Sequence, residues 1–208
     1  MSMNERLKPV TSQDSPYQSP WSTWTRIKNV LFNATWTLTC RITPNPLNFW
    51  RLFVLRLFGA KISGRPYVAP SARIRMPWNI TLRHRACVAP GSELYALGPI
   101  TMHERSTLAQ HAYICTGSHD ISVEELTLIV GPVEVGADAF IFAFAFVSPG
   151  ITIGEGAVIG ARSVVTKDMP AWTICAGNPC KPLKPREFPG SSKSDPGELG
   201  EQTPANES

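Results

Sequence analysis

Residues 133–165 read VEVGADAFIFAFAFVSPGITIGEGAVIGARSVV, and every sixth position from Val135 is a β-branched aliphatic: Val135, Ile141, Val147, Ile153, Ile159 and Val165. Val and Ile supply only 27 of the 208 residues, so six hits in one phase are no accident of composition. A step of six fits neither the roughly 3.6-residue period of a helix nor the alternation of a plain strand. It is the period of a parallel β-helix, whose coils bury their aliphatics only against neighbouring coils. Ordinary sandwich strands would not hold one phase for so long. The fourth residue after a ladder position is small at Ala139, Ala145, Ala157 and Ser163, as the corners of a narrow prism require. Gly136, Gly154 and Gly160 directly follow the ladder, where the reading expects a sharp backbone turn.

Upstream the rhythm is less regular. Ile62, Val68, Ile74 and Ile80 share one phase; it slips by two to Leu82, Val88 and Leu94, then resumes as Met102, Leu108 and Ile114. The largest interruption, Thr116 to Pro132, breaks the stack without extending it. Long loops thrown from a rigid scaffold are where function concentrates. The prism is expected to end near Gly177-Asn178-Pro179, which cannot continue a strand.

Residues 1–20 read as a flexible leader, and 188–208, rich in Pro, Gly, Ser and Glu, as a disordered, dispensable tail. Between the leader and the prism (residues 60–187), residues 21–59 read as two helices. Trp24, Ile27, Leu31, Ala34 and Leu38 recur at helical spacing, Thr43-Pro44-Asn45-Pro46 breaks the run, and a second helix spans Leu47 to Phe58, stopped by Gly59. The second is apolar almost all round, interrupted by Arg51 and Arg56. Neither reaches the ~20 apolar residues of a membrane span. They can cap the open end of the prism, as a solenoid's terminal coil demands, or lie with Trp and Arg in a lipid headgroup layer; the two roles are compatible.

The net charge of +4 hides an asymmetry, because residues 1–75 carry eleven Lys and Arg against Glu5 and Asp14, a local excess of +9. Such an arm suits an anionic partner, and nothing in the chain resembles a nucleic-acid module. Five cysteines without paired spacing read as reduced thiols, and the polar first twenty residues exclude a signal peptide, which together imply a cytoplasmic protein.

Of His84, His103, His111 and His119, the last stands apart: it sits in Thr-Gly-Ser-His-Asp, where the excursion leaves the prism. An imidazole is the natural base for a hydroxyl proton near neutral pH. The histidine spacings of 19, 8 and 8 do not match the His-x4-His pattern of zinc-dependent β-helical carbonic anhydrases, so no metal is expected. Ser118, His119 and Asp120 are adjacent in sequence and cannot converge as a triad. Lys167, just past Val165, stands where a compact charge could meet a phosphate.

The segments Ala-Pro-Ser-Ala (69–72), Pro-Trp-Asn-Ile-Thr (77–81), Gly-Ser-His-Asp (117–120), the run 147–161, Ser-Val-Val-Thr-Lys-Asp-Met-Pro (163–170) and Ala-Gly-Asn-Pro (176–179) carry a resemblance. Over residues 20–187 the chain resembles the hexapeptide-repeat acyltransferases, among them the maltose, galactoside and nodulation-factor O-acetyltransferases and above all the colanic acid acetyltransferase family. The resemblance implies a left-handed parallel β-helix and a homotrimer with active sites between neighbouring prisms. It implies acetyl-CoA as co-substrate and a sugar, nucleotide-sugar or lipid-linked sugar as acceptor, at the inner face of the membrane in the lipid-linked case. By position it assigns Phe140, Ala143, Ala161, Thr166, Lys167 and Lys184 to CoA, and His119 to catalysis as general base in a direct ternary-complex transfer. Asp120, Glu93 and Asn79 are the acceptor-side candidates. Phe142, Phe144 and Arg162 stand where the relatives carry small residues, so the phenylalanine run 140–146 either narrows the cleft or fills a wider prism. The competing functions are N-acetylation of an amino sugar and a scaffold without catalysis.

Overall fold

The computed structural model describes residues 6–9 and 19–187; the rest of the expected leader and the expected tail, 188–208, lie outside the described residues. From Lys61 the chain winds into a parallel β-solenoid with three faces. The first holds Lys61–Ile62, Ile80–Leu82, Ile100–Met102, Val133–Val135 and Thr152–Ile153. The second holds Tyr67–Val68, Cys87–Val88, Thr107–Leu108, Phe140–Ile141, Val158–Ile159 and Thr173–Ala176. Arg73–Arg75, Glu93–Tyr95, Tyr113–Cys115, Phe146–Val147 and Val164–Val165 make the third.

The six-residue ladder is the core. Val135, Ile141, Val147, Ile153, Ile159 and Val165 fall on the three faces in rotation, and all six are fully buried. Each pairs in register with the ladder residue of the adjoining coil, as in Ile141 with Ile159 and Leu108. The small residues Ala139, Ala145, Ala157 and Ser163 turn inward at the corners as expected. The glycines at 136, 154 and 160 have another reason than the one the sequence suggested. Their φ angles are not positive; a Cβ on Gly154 would lie 2.4 Å from Ala171 N, and one on Gly136 2.6 Å from Glu155 N. They permit close stacking of coils. The left-handed turn sits instead at Asp138, Phe144, Gly150, Gly156 and Arg162, again at steps of six.

The phase slips also resolve. Every departure from the six-residue step falls at the corner leading from the third face to the first: a 3-10 turn at Pro77–Asn79, the bend at Ala96–Pro99 and the excursion 116–132. The parallel winding stops at Gly177 (φ +107°), after which Lys181–Pro185 returns antiparallel along Thr173–Ala176.

Two helices precede the solenoid. α1 spans Thr23–Thr35, capped by Ser22, whose hydroxyl accepts from Thr25 N–H at 3.2 Å, and it continues as a π-helical stretch through Trp36–Cys40. α2 spans Asn48–Leu57, and Gly59 (φ +97°) takes the left-handed position after it. Phe32, Trp36, Cys40, Leu52, Val54 and Leu55 join the solenoid's own apolar core, and Trp36 Nε1–H donates to Ala72 O at 3.3 Å. The helices therefore close the first coil, but not with the stripe the sequence advertises. Trp24, Ile27, Leu31 and Leu38 point away from the prism, 45–71 % exposed. α2 buries Leu52, Val54 and Leu55, yet Phe49, Phe53 and Leu57 are exposed and Arg51 is fully buried. Its guanidinium donates to Val68 O (2.8 Å), Thr43 Oγ1 (2.7 Å), Pro44 O (3.0 Å) and Asn45 O (3.1 Å), so the charge is desolvated but its donors are used.

The leader is not wholly free. Lys8–Pro9 pairs antiparallel with Ile129 and Val130 of the excursion, and Arg6 bonds Asp168, Thr152 Oγ1 and Gly150 O. No helix among the described residues is long and apolar enough to cross a membrane.

Candidate active site

The excursion is a β-hairpin. Gly117–His119 pairs antiparallel with Leu128–Val130, and Lys8–Pro9 adds a third strand. Its base is fixed by Thr116, fully buried, whose hydroxyl donates to Tyr95 O (2.8 Å) and accepts from Gly98 N–H (2.9 Å). Gly117 lets Leu97 pack close, because a Cβ there would lie 2.6 Å from Leu97 Cδ1 and push that side chain aside. Leu128 packs on Met76 and Leu97, with Trp21, Trp78 and Tyr95 around them.

His119 stands opposite Leu128 on this hairpin, exposed. Its Nδ1 lies 2.6 Å from Leu126 O. A carbonyl can only accept, so Nδ1 carries a proton, and in the neutral ring the lone pair is then on Nε2. Leu126 presents that carbonyl from a left-handed conformation (φ +48°), an expensive choice for a leucine that the hairpin tip imposes. The other histidines stand apart. His84 packs against Gly64 and accepts from Arg65 N–H, His103 lies beside Glu104, and His111 stacks on Phe144 with centroids 5.0 Å apart.

The acceptor-side candidates serve different structural roles. Asp120 is half-buried near the hairpin tip and accepts from Ser122 Oγ–H and N–H, which hold its carboxyl below the usual range. Asn79 donates its amide to Ala96 O (2.8 Å) and Leu97 O (3.0 Å), bracing the corner beneath the hairpin. Glu93 lies on the third face, 3.9 Å from Arg73. That face also carries what sequence reasoning missed: Tyr95, Tyr113 and Phe146 form a continuous ring ladder leading toward the excursion, with Arg75 over Tyr95. Burial, with Cys115 alongside, raises the Tyr113 phenol, so it remains a neutral hydroxyl. Glu93, Tyr113 and Phe146 immediately precede ladder residues, and that outward column was the signal that could have found the last two.

The CoA candidates divide between two edges. Thr166 and Lys167 lie where the third face turns to the first, the edge from which the His119 hairpin departs. Ala143 and Ala161 adjoin one another at the opposite edge of the third face, where the Arg162 N–H donates to Ala143 O. Phe140, Val158, Ile174 and Lys184 follow in one row across the second face. The phenylalanine run does not widen the prism: Ile141 and Ala145 point in, while Phe142 and Phe144 are exposed. Arg162 lies over the Phe144 ring, 5.8 Å from its centroid. Two cavities flank the hairpin, about 420 Å³ between Arg6, Lys8, Pro99 and Thr152 and about 560 Å³ beside Asp120 and Ile129; His119 lines neither.

Residues 132–167 match the bacterial transferase hexapeptide family (six repeats). WcaF of Escherichia coli strain K12, named as a colanic acid biosynthesis acetyltransferase, is 43 % identical over 144 residues, 69 % of this chain and 79 % of WcaF. Among solved structures, a maltose O-acetyltransferase from Clostridium difficile 630 superposes with TM-score 0.70 at 27 % identity, over 80 % of this chain and 90 % of that one. A hexapeptide-repeat acetyltransferase of Vibrio cholerae O1 biovar eltor, crystallised with acetyl coenzyme A, shares the fold with TM-score 0.74 at 18 % identity, over 90 % of this chain and 100 % of that one. With the repeat, the hairpin histidine and this degree of identity in hand, the chain belongs to the hexapeptide-repeat acetyltransferase family.

Proposed function

We propose that the protein transfers the acetyl group of acetyl-CoA to a sugar hydroxyl in exopolysaccharide assembly, with His119 as general base and a homotrimer as the working unit. The observation that carries this reading is the 2.6 Å bond between His119 Nδ1 and Leu126 O, which leaves Nε2 basic and exposed at a scaffold edge. Nε2 takes the proton of the acceptor hydroxyl as its oxygen attacks the thioester carbonyl; the tetrahedral intermediate collapses, and the imidazolium returns the proton to the departing CoA sulfur. Holding both substrates in one groove supplies several kcal/mol of the barrier. No acyl-enzyme is needed. Cys115, the nearest thiol in sequence, is buried, with its S–H directed at Gly117 O.

The division of the CoA candidates supports the oligomer. His119, Thr166 and Lys167 share one edge of the prism, while Ala143 and Ala161 occupy another. In one chain these groups lie at opposite edges of the third face, and two prisms side by side would bring the hairpin edge of one against the alanine edge of the next. Phe140 and Lys184 then extend the groove wall toward the CoA phosphates, and Asp120, Glu93 and Asn79 stand on the acceptor side. With a lipid-linked acceptor, residues 21–58 make a peripheral contact at the inner face of the membrane.

The test is thiol release from acetyl-CoA across a panel of nucleotide sugars, glycans and lipid-linked sugars. His119→Ala should lower the rate about 10²–10⁴-fold with unchanged thermal unfolding, while Cys115→Ala retains full activity. Near-normal turnover in His119→Ala would overturn the catalytic assignment, and no release with any acceptor would favour a scaffold.

A further inference from the structure

We propose that the outward face of the two N-terminal helices is a docking surface for an anionic lipid bilayer, its apolar row entering the headgroup layer and its arginines meeting lipid phosphates. This deepens the membrane contact included in the functional reading and rests on it for purpose, though the contact itself involves neither His119 nor acetyl-CoA.

The first support is the direction of the side chains. Trp24, Ile27, Leu31 and Leu38 of α1 and its extension are exposed, and Phe49, Phe53 and Leu57 of α2 add a second row, 52–68 % exposed. Two polar groups of these helices go the other way: Asn29 Oδ1 is buried and unbonded, and Arg51 is fully buried. A segment in water gains by the opposite orientation. An apolar layer outside the protein removes the contradiction.

The second support is charge. Between positions 15 and 92 the chain has eleven Lys and Arg and no Asp or Glu. Arg26, Arg41 and Arg56 are exposed and flank the apolar rows, and none makes an ion pair among the described residues. A second copy meeting this face at the same level would set base against base. An anionic bilayer offers negative charge and an apolar layer together, the combination an amphipathic helix lying in the interface plane recognises. α1 and its extension are too short and too polar to cross. Because α2 packs on the first two solenoid strands, a trimer of parallel prisms presents three such faces at one end, and weak contacts add.

The experiment is flotation of the full-length protein with phosphatidylcholine vesicles, with and without phosphatidylglycerol, in the absence of acetyl-CoA and acceptor. The wild type should float with the anionic vesicles and be released by salt. The pairs Leu38→Ser with Phe53→Ser and Arg41→Gln with Arg56→Gln should each reduce binding by about tenfold or more, with unchanged circular dichroism. Absence of wild-type binding, or binding indifferent to both pairs, overturns the proposal. So does a drop in oligomeric mass in the Leu38/Phe53 variant, which would assign the face to a second copy. Thiol release on a soluble acceptor should not change, so failure here leaves the transferase reading standing, and the reverse holds too.

Discussion

The solenoid and the helices in front of it both carry regular apolar patterns, yet they use them in opposite directions. From Val135 to Val165 every sixth residue points in and is fully buried, and the pattern is the core. In the helices the stripe with the clearer period points out, and closure of the prism falls to Phe32, Trp36, Cys40, Leu52, Val54 and Leu55 beside a buried arginine. A hydrophobic period thus identifies a face but not what the face meets. Only the solenoid pattern is self-sufficient, because each coil supplies the surface that buries the next.

The largest effect should come from placing one charge in each pattern. Val147→Asp buries an unpaired carboxylate between coils and should abolish cooperative folding, since a cost of several kcal/mol consumes most of a domain's stability. Leu38→Asp, in the exposed stripe, should change the unfolding free energy by no more than about 0.5 kcal/mol in chemical denaturation. Equal damage at both would erase the contrast.

Arg51→Leu sharpens it. By hydropathy the change perfects an apolar helix and should stabilise. The structure implies the reverse, because Val68 O, Pro44 O and Asn45 O lose their partner in a buried setting, and about 2–4 kcal/mol should be lost in chemical denaturation.

A smaller effect belongs to the last coil. Burial pushes the Cys175 thiol up to about 11 from an ordinary 9. Below pH 9 folded and unfolded chains both keep the proton, and its stabilisation is complete. Above pH 9 the unfolded thiol ionises first, so stability falls toward pH 11, by at most about 1.4 kcal/mol per pH unit. Cys175→Ala should flatten that slope in pH-dependent unfolding.

The ladder made the fold legible because a six-residue period has few structural solutions, and the break at 116–132 marked the hairpin that leaves the prism by the same logic. What the residues could not reveal depended on contacts across long sequence separations. Arg6 reaches Asp168, 162 positions away, from a stretch whose Pro and Ser composition reads as leader. The tautomer of His119 depends on Leu126 adopting a backbone conformation that leucine rarely takes. The helical stripe was visible, but not the direction it faces: Trp24, Ile27, Leu31 and Leu38 are exposed among the described residues. Gly136 and Gly154 were found for the wrong reason, since the close approach of the next coil is invisible within one repeat.

The central claim is that neighbouring copies complete one site, the hairpin edge of one facing the alanine edge of the next. Mixing subunits of His119→Ala with subunits of Ala161→Trp tests it directly. Each variant alone should be inactive. Random trimers from equal amounts should regain about a quarter of wild-type thiol release, because every mixed trimer contains one interface with both intact edges. Subunits that demonstrably exchange while activity stays at zero would contradict the account.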